Sequence, residues 1–254
     1  MKERATSEFA ARTPIGAASA PIIRLAEVGS TNDEAMVRLR ASEVPLWVVA
    51  ERQFAGRGRR ARPWTSEPGN LYASYAFPHV FAPASFALLP LAAAVALADA
   101  LEVVGARPSL KWPNDVRLAG AKVAGILIEA EQEGPQRRAV VGFGVNIMSH
   151  PPGLPATHLA AHLPAATPDD VFGPLRDAFG AVLNTLGVGG TGAIRARWLA
   201  RADGVGEPIA VRLERETREG MFEGLDEAGR LILRRKDGVA ETIAAGDVFV
   251  RGAP

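Results

Sequence analysis

The chain is predicted to be an α+β protein, a mixed sheet carrying helices, followed by a small separate β-barrel. Two patterns point that way. From Ile22 onward strand-like and helix-like segments alternate, with apolar residues at period two in the first kind and at helical spacing in the second. Near Gly204 the text changes to five short strand-like stretches separated by polar turns, which does not continue the sheet before it. With 254 residues, 48% of them hydrophobic, there is apolar material for a main core and one smaller unit.

Taken in order, Ile22 to Leu25 reads as a strand and Asn32 to Arg40 as a helix with Ala35, Met36 and Leu39 inward, capped by Ser30 or Thr31. Strands follow at Leu46 to Glu51 and Leu71 to Phe77. A helix then covers about Ser85 to Val104, and Pro90 places the start of regular pairing near that residue. The segments Ser109 to Trp112, Lys122 to Ala130 and Arg138 to Ile147 read as central strands, the last two joined by a Glu-Gly-Pro-Gln turn into an antiparallel hairpin. A proline-rich connector, 151–164, leads to Thr167-Pro168-Asp169-Asp170, where an N-cap, an N1 proline and first-turn acids open a helix. Val171, Leu175, Phe179, Val182 and Leu186 mark its buried face, and a short helix surrounds Trp198. The closing strands are expected at about Ile209 to Leu213, Gly220 to Gly224, Leu231 to Leu233, Val239 to Ile243 and Val248 to Val250. The expected division is a flexible tail at 1–21, a main domain at 22–203 and the small domain at 204–254.

Composition excludes several classes. A net charge of +1 gives no field that would single out nucleic acid or an anionic membrane as principal partner. The absence of cysteine removes disulfides, thiolate metal sites and thiol nucleophiles, and fits a cytoplasmic location. The apolar run Phe86 to Ala98 is too short to cross ~30 Å of hydrocarbon and reads as a buried helix. The four histidines are scattered without metal-ligand spacing, and no Gly-x-Ser-x-Gly elbow occurs. Metal ligands are left unassigned.

Only four of the 29 basic residues are lysine, and two of them, Lys111 and Lys122, fall in one short unit. Arginine's wide fork is the usual choice here, so these positions suggest a compact ammonium for a phosphate or carboxylate, although two surface lysines would read the same. Gly56-Arg57-Gly58-Arg59-Arg60-Ala61-Arg62 interleaves flexible backbone with forked donors, as an anion-wrapping loop would, and Trp64 beyond it offers a flat face. A solvated basic loop or an RNA-touching arm has the same composition. Gly142-Phe143-Gly144 lies inside a strand, where missing side chains admit close approach of a ligand or mark a bulge. Ser30-Thr31-Asn32 can be a helix cap or a reader of a polar, uncharged group, with Gln53 adding a further polar contact.

In this order and spacing, Ser30-Thr31-Asn32, Gln53-x-x-Gly-Arg-Gly-Arg-Arg, Lys-Trp-Pro-Asn-Asp at 111–115, Lys122-x-x-Gly-Ile-Leu and Gly-x-Gly-x-Asn at 142–146 resemble the biotin protein ligases, over about residues 22 to 150. The resemblance implies a catalytic fold shared with class II aminoacyl-tRNA synthetases and lipoate ligases, and an SH3-like barrel at the end. It implies that biotin and Mg-ATP form biotinyl-5′-adenylate, and that a lysine on the biotin carboxyl carrier domain of a carboxylase then takes the acyl group. By resemblance Lys122, Arg57, Lys111 and Asp115 are catalytic, with Asp115 orienting or deprotonating the incoming lysine. Ser30, Thr31, Asn32, Gln53, Arg57, Gly58, Arg59, Lys122 and Gly125 bind biotin, and Arg59, Trp64, Lys111, Asn114 and Asn146 bind ATP. Ala61 departs from the glycine that commonly ends the family's arginine loop. The roughly twenty residues ahead of Ile22 are too few for the winged helix-turn-helix of bifunctional members, so a short monofunctional ligase without a DNA partner is expected, as monomer or homodimer and without a membrane role. A lipoate or octanoate ligase or transferase of the same fold, and a non-catalytic biotin sensor, are the rival readings.

Overall fold

The computed structural model describes residues 16–79 and 81–250. Seven strands form one sheet in the order β1-β2-β3-β7-β6-β5-β4, comprising β1 (Ile22–Val28), β2 (Leu46–Gln53), β3 (Leu71–Pro78), β4 (Ser109–Lys111), β5 (Asp115–Leu118), β6 (Ala121–Glu133) and β7 (Gln136–Val145). Only β1 and β2 run parallel, because α1 (Thr31–Ser42) crosses between them; every other pair is antiparallel. The hairpin of β6 and β7 forms as expected, turning at Gly134 with φ +58°. The strand β5 was not anticipated. The expected strand Ser109 to Trp112 ends at Lys111, and Trp112-Pro113-Asn114 turns the chain into β5, which begins at Asp115.

Period two in β2 explains how one sheet builds two cores. Leu46 and Val48 meet Ala35, Met36 and Leu39 of α1, while Trp47 and Val49 point to the opposite face. On that face α3 (Leu89–Val103) packs against the sheet and is covered by α4 (Pro168–Gly187) and α5 (Thr191–Leu199). Buried almost all round, α3 can be apolar all round. The expected single helix from Ser85 is two helices, since a short α2 (Pro83–Ala87) ends before Pro90, which sits in the first turn of α3. The anticipated cap of α4 is present as a capping box between Thr167 and Asp170. For α1 the cap is different: Ser30 is at the N-cap position, yet its side chain caps nothing.

Residues 16–20 are a correction to the expected tail. They form a turn in which Ala17 is fully buried, because the indole N–H of buried Trp47 donates to the Ala17 carbonyl at 2.8 Å. The rest of the expected tail, 1–15, lies outside the described residues.

The closing strands β8 (Pro208–Arg212), β9 (Thr217–Leu225), β10 (Leu231–Arg234), β11 (Ala240–Ile243) and β12 (Asp247–Val250) make an antiparallel sheet in the order β11-β10-β9-β8-β12. It rests on the main sheet. The Trp112 indole donates to the Gly229 carbonyl at 3.1 Å, and Arg117 pairs with Asp203 at 3.0 Å. This contact turns β12 toward the end of the large sheet where the motifs lie.

Candidate active site

Each residue singled out above as a site residue lines one cavity of about 510 Å³. Three elements of the sheet bring them together: the β1–α1 junction, the hairpin loop after β2, and the β4 to β7 segment.

At one end is a polar recess. The backbone N–H of Thr31 and its hydroxyl donate to Gln53 Oε1 at 2.8 and 3.0 Å. The hydroxyl of Ser74, fully buried on β3, lies 2.7 Å from Asn32 Oδ1 and 2.8 Å from Thr31 Oγ1. Gln53 thus takes the Thr31 N–H of the first turn of α1, and Ser30, whose side chain does not cap it, lines the cavity. Glycines 142 and 144 do allow a close approach, but by protein groups. A Cβ on Gly142 would stand 2.2 Å from Asn32 Oδ1, and one on Gly144 would stand 2.7 Å from the Trp64 ring.

The arginine segment is a tight hairpin. Gly58 N–H donates to the Arg62 carbonyl and Trp64 N–H to the Gly56 carbonyl, at 2.8 and 2.9 Å. At its neck a Cβ on Gly56 would meet Ser66 Oγ and the Trp64 carbonyl, each at 2.7 Å, so only glycine fits. Arg60 and Ala61 both adopt left-handed φ, 56° and 55°. The substituted Ala61 thus occupies a conformation that glycine holds without strain. Arg59 points inward, donating to Asn114 Oδ1 at 3.1 Å, and burial pulls its guanidinium below the ordinary value.

Arg57 also lines the cavity, and two carboxylates hold it. Its guanidinium is bidentate on Asp33, at 2.5 and 2.6 Å, and also donates to Glu129 at 2.8 Å. These hydrogen bonds, to Asp33 first and Glu129 second, push its pKa up and occupy the fork. It anchors the hairpin.

Opposite the recess, Lys122 Nζ donates to Asp115 Oδ1 at 2.6 Å and lies 5.3 Å from the Trp64 ring centroid. Asp115 is thus committed to Lys122. Lys111 Nζ stands 5.3 Å from the Phe249 ring, and burial lowers its pKa, with Asp115 partly opposing the shift. Trp64 lies across Gly125 and Gly144, its indole nitrogen buried and without a hydrogen-bond partner among the described residues. Asn146 lines the cavity, but its amide donates to the Thr157 carbonyl at 3.1 Å, pinning the connector against Lys122, whose N–H and carbonyl bond Pro155 and Thr157.

Sequence reasoning missed Ser74, Asp33 and Glu129, the connector residues Leu154 to Ala156, and Asp247, Val248 and Phe249 of β12. Period two counted from Gly125 along β6 places Glu129 on the same side, so that residue was findable. Asp247 was not. It accepts from Arg62 at 2.7 Å and Arg60 at 3.4 Å, partners 185 and 187 residues away in the chain. Burial raises its carboxyl, yet the Arg62 hydrogen bond and the nearby arginine charges outweigh that and hold it below the usual range.

Three of the four histidines lie near one another in or beside the connector, while His79 stacks on Phe86 elsewhere. His150 and His158 stack with Nδ1 atoms 2.8 Å apart, while His162 bonds Thr157 at 3.1 Å. Among the described residues, no three His, Asp or Glu converge to hold a metal.

Cations, a glycine-necked arginine hairpin and a polar, uncharged recess in one cavity define a class of enzyme. Its equipment suits anionic groups such as a carboxylate and a phosphate held side by side. The chain belongs to the biotin protein ligases: residues 23–146 match the Biotin/lipoate A/B protein ligase family and 204–251 the Biotin protein ligase C terminal domain. It is 40% identical over 240 residues to a biotin–[acetyl-CoA-carboxylase] ligase of Paracoccus denitrificans, covering 90% of this chain and 100% of that protein. It is 30% identical to a bifunctional ligase/repressor of Bacillus subtilis, across 78% of this chain and 64% of that longer one. The biotin protein ligase of Aquifex aeolicus in complex with biotin and ATP superposes with a TM-score of 0.75, at 27% identity over 91% of this chain and 98% of that one.

Proposed function

We infer that this chain biotinylates a lysine on the carrier domain of a carboxylase, in two steps. In the first, a carboxylate oxygen of biotin attacks the α-phosphorus of ATP, the bond to the β-phosphate oxygen breaks, and pyrophosphate leaves. In the second, the carrier lysine's amine attacks the acyl carbon of biotinyl-5′-adenylate, AMP departs and the amine loses a proton.

The observation that carries this reading is the position of Lys122, held by Asp115 inside the same cavity as the polar recess and the arginine hairpin. Ser30, Thr31, Asn32 and Gln53 read the ureido end of biotin. Lys122 neutralises the carboxylate, Lys111 the phosphates, and Arg59 with Asn114 closes the hairpin over the mixed anhydride, excluding water. Arg57 anchors that hairpin. Trp64 and Asn146 serve the adenine side, and Asp115 aims Lys122. Magnesium enters bound to ATP, as part of the substrate.

Residues 22–203 form the catalytic unit and 204–254 the closing one, whose β12 reaches the cavity. Among the described residues no helix is long and apolar enough to cross a membrane. We place the reaction in the cytoplasm, on the cysteine-free composition. The test is pyrophosphate release from ATP with biotin, lipoate and octanoate in parallel, followed by mass analysis of a biotin carrier domain. Acylation of one carrier lysine with biotin alone is expected. Turnover with lipoate or octanoate instead, or tight biotin binding without turnover, overturns the assignment.

A further inference from the structure

Two side chains that the reaction itself does not call upon, Glu129 and Ser66, connect the recess to the two sides of the arginine hairpin. On the entering side, Glu129 Oε2 accepts from Asn32 Nδ2 at 2.7 Å, and Oε1 accepts from Arg57 Nη2 at 2.8 Å. On the returning side, Gln53 Nε2 donates to Ser66 Oγ at 3.0 Å, and Ser66 donates to the Trp64 carbonyl at 3.0 Å. Asn32 and Gln53 are themselves joined through Ser74 and Thr31. Asp33 also holds Arg57, at 2.5 and 2.6 Å, but its described contacts do not include Asn32.

We propose that Glu129 is a positioning residue that couples occupancy of the recess to the placement of the arginine hairpin, by accepting simultaneously from Asn32 and Arg57. The proposal rests on the reading of the recess as the biotin site. When a ligand draws the Asn32 amide into a defined orientation, the carboxylate facing it is fixed, and the bidentate Arg57 is fixed in turn. The short neck at Gly56 transmits that position to Arg59 and Arg60. Asp33 supplies attraction for Arg57 without the link to the recess. Removing each carboxylate therefore separates anchoring from coupling.

The experiment is limited trypsin digestion of the full chain, following cleavage after Arg57, Arg59, Arg60 and Arg62 by mass spectrometry, with and without saturating biotin. Biotin is expected to slow cleavage of the unaltered protein at least ~10-fold, since protection scales with the closed population. Asp33→Asn is expected to cleave faster without ligand and to keep its biotin-dependent protection. Glu129→Gln, which keeps the size and loses the charge, is expected to fall below ~2-fold protection at a biotin concentration that calorimetry shows to be saturating. Glu129→Asp, too short to span both partners, should behave the same and serves if the glutamine variant does not fold. Full protection in the Glu129 variants overturns the proposal, as does equal loss in Asp33→Asn. A failure of the biotin reading is recognised separately, because the unaltered protein would then show neither protection nor pyrophosphate release.

Discussion

Replacing Gly142 by alanine places a methyl carbon 2.2 Å from Asn32 Oδ1, where ordinary contact begins at 3.4 Å. Something must move by 3.4 − 2.2 = 1.2 Å, and β7 is paired on both sides, so Asn32 yields. Its amide is 5% exposed and bonded at 2.7 Å to both Ser74 and Glu129. A displacement of that size lengthens both bonds past useful range. The neutral one is worth ~1 kcal/mol and the charged one ~1.5–3 kcal/mol. Alanine is conformationally easier than glycine within a strand, which returns ~0.5–1 kcal/mol. The net loss is ~1.5–3.5 kcal/mol, or a fall in Tm of ~3–14 °C for a chain of this size. Differential scanning fluorimetry reads the stability and titration calorimetry the biotin affinity, which should weaken because Asn32 leaves the recess wall. A Tm within about 1 °C of the parent, with unchanged biotin affinity, would refute the steric reasoning.

Three further outcomes follow from the geometry. Arg59→Ala removes the only described contact between the hairpin and Asn114 and should release biotinyl-adenylate into solution; rapid quench and filtration measure the escape, and full retention counts against the sealing role. Ala61→Gly should relieve ~1 kcal/mol of left-handed strain, partly offset by the added freedom of the unfolded chain, and speed hairpin closure in stopped-flow mixing with biotin. An unchanged closure rate would show that Ala61 does not limit the motion. Lys111 is held below the free lysine value by burial, so in the free enzyme it loses its proton, and the charge proposed to meet phosphate, at lower pH than an exposed lysine does. The alkaline limb of kcat/KM for ATP should therefore fall below ~10.4, the unperturbed lysine value, and move upward in Lys111→Arg. A limb unaltered by that substitution removes Lys111 from ATP binding.

The sequence by itself determined the alternation of strands and helices, the break near Gly204, the capping box at Thr167 and the cluster of motifs that share one cavity. These are local signals: periodicity, caps and turn chemistry act within a few residues, and the motif spacing is written along the chain. Tertiary structure decided which charges meet. Arg57 and Arg59 read alike two positions apart, yet one is consumed by Asp33 and Glu129 while the other faces Asn114. Asp115 and Lys122 stand seven positions apart, and only folding set them 2.6 Å from each other. The two glycines of β7 read as room for a ligand or as a bulge; both line the cavity, and Asn32 and Trp64 pack closely over them. Asp247 reached the hairpin only because the terminal sheet docks through Trp112 and Gly229. Electrostatic pairing and close packing depend on distances across elements far apart in the chain, and no local pattern encodes those distances.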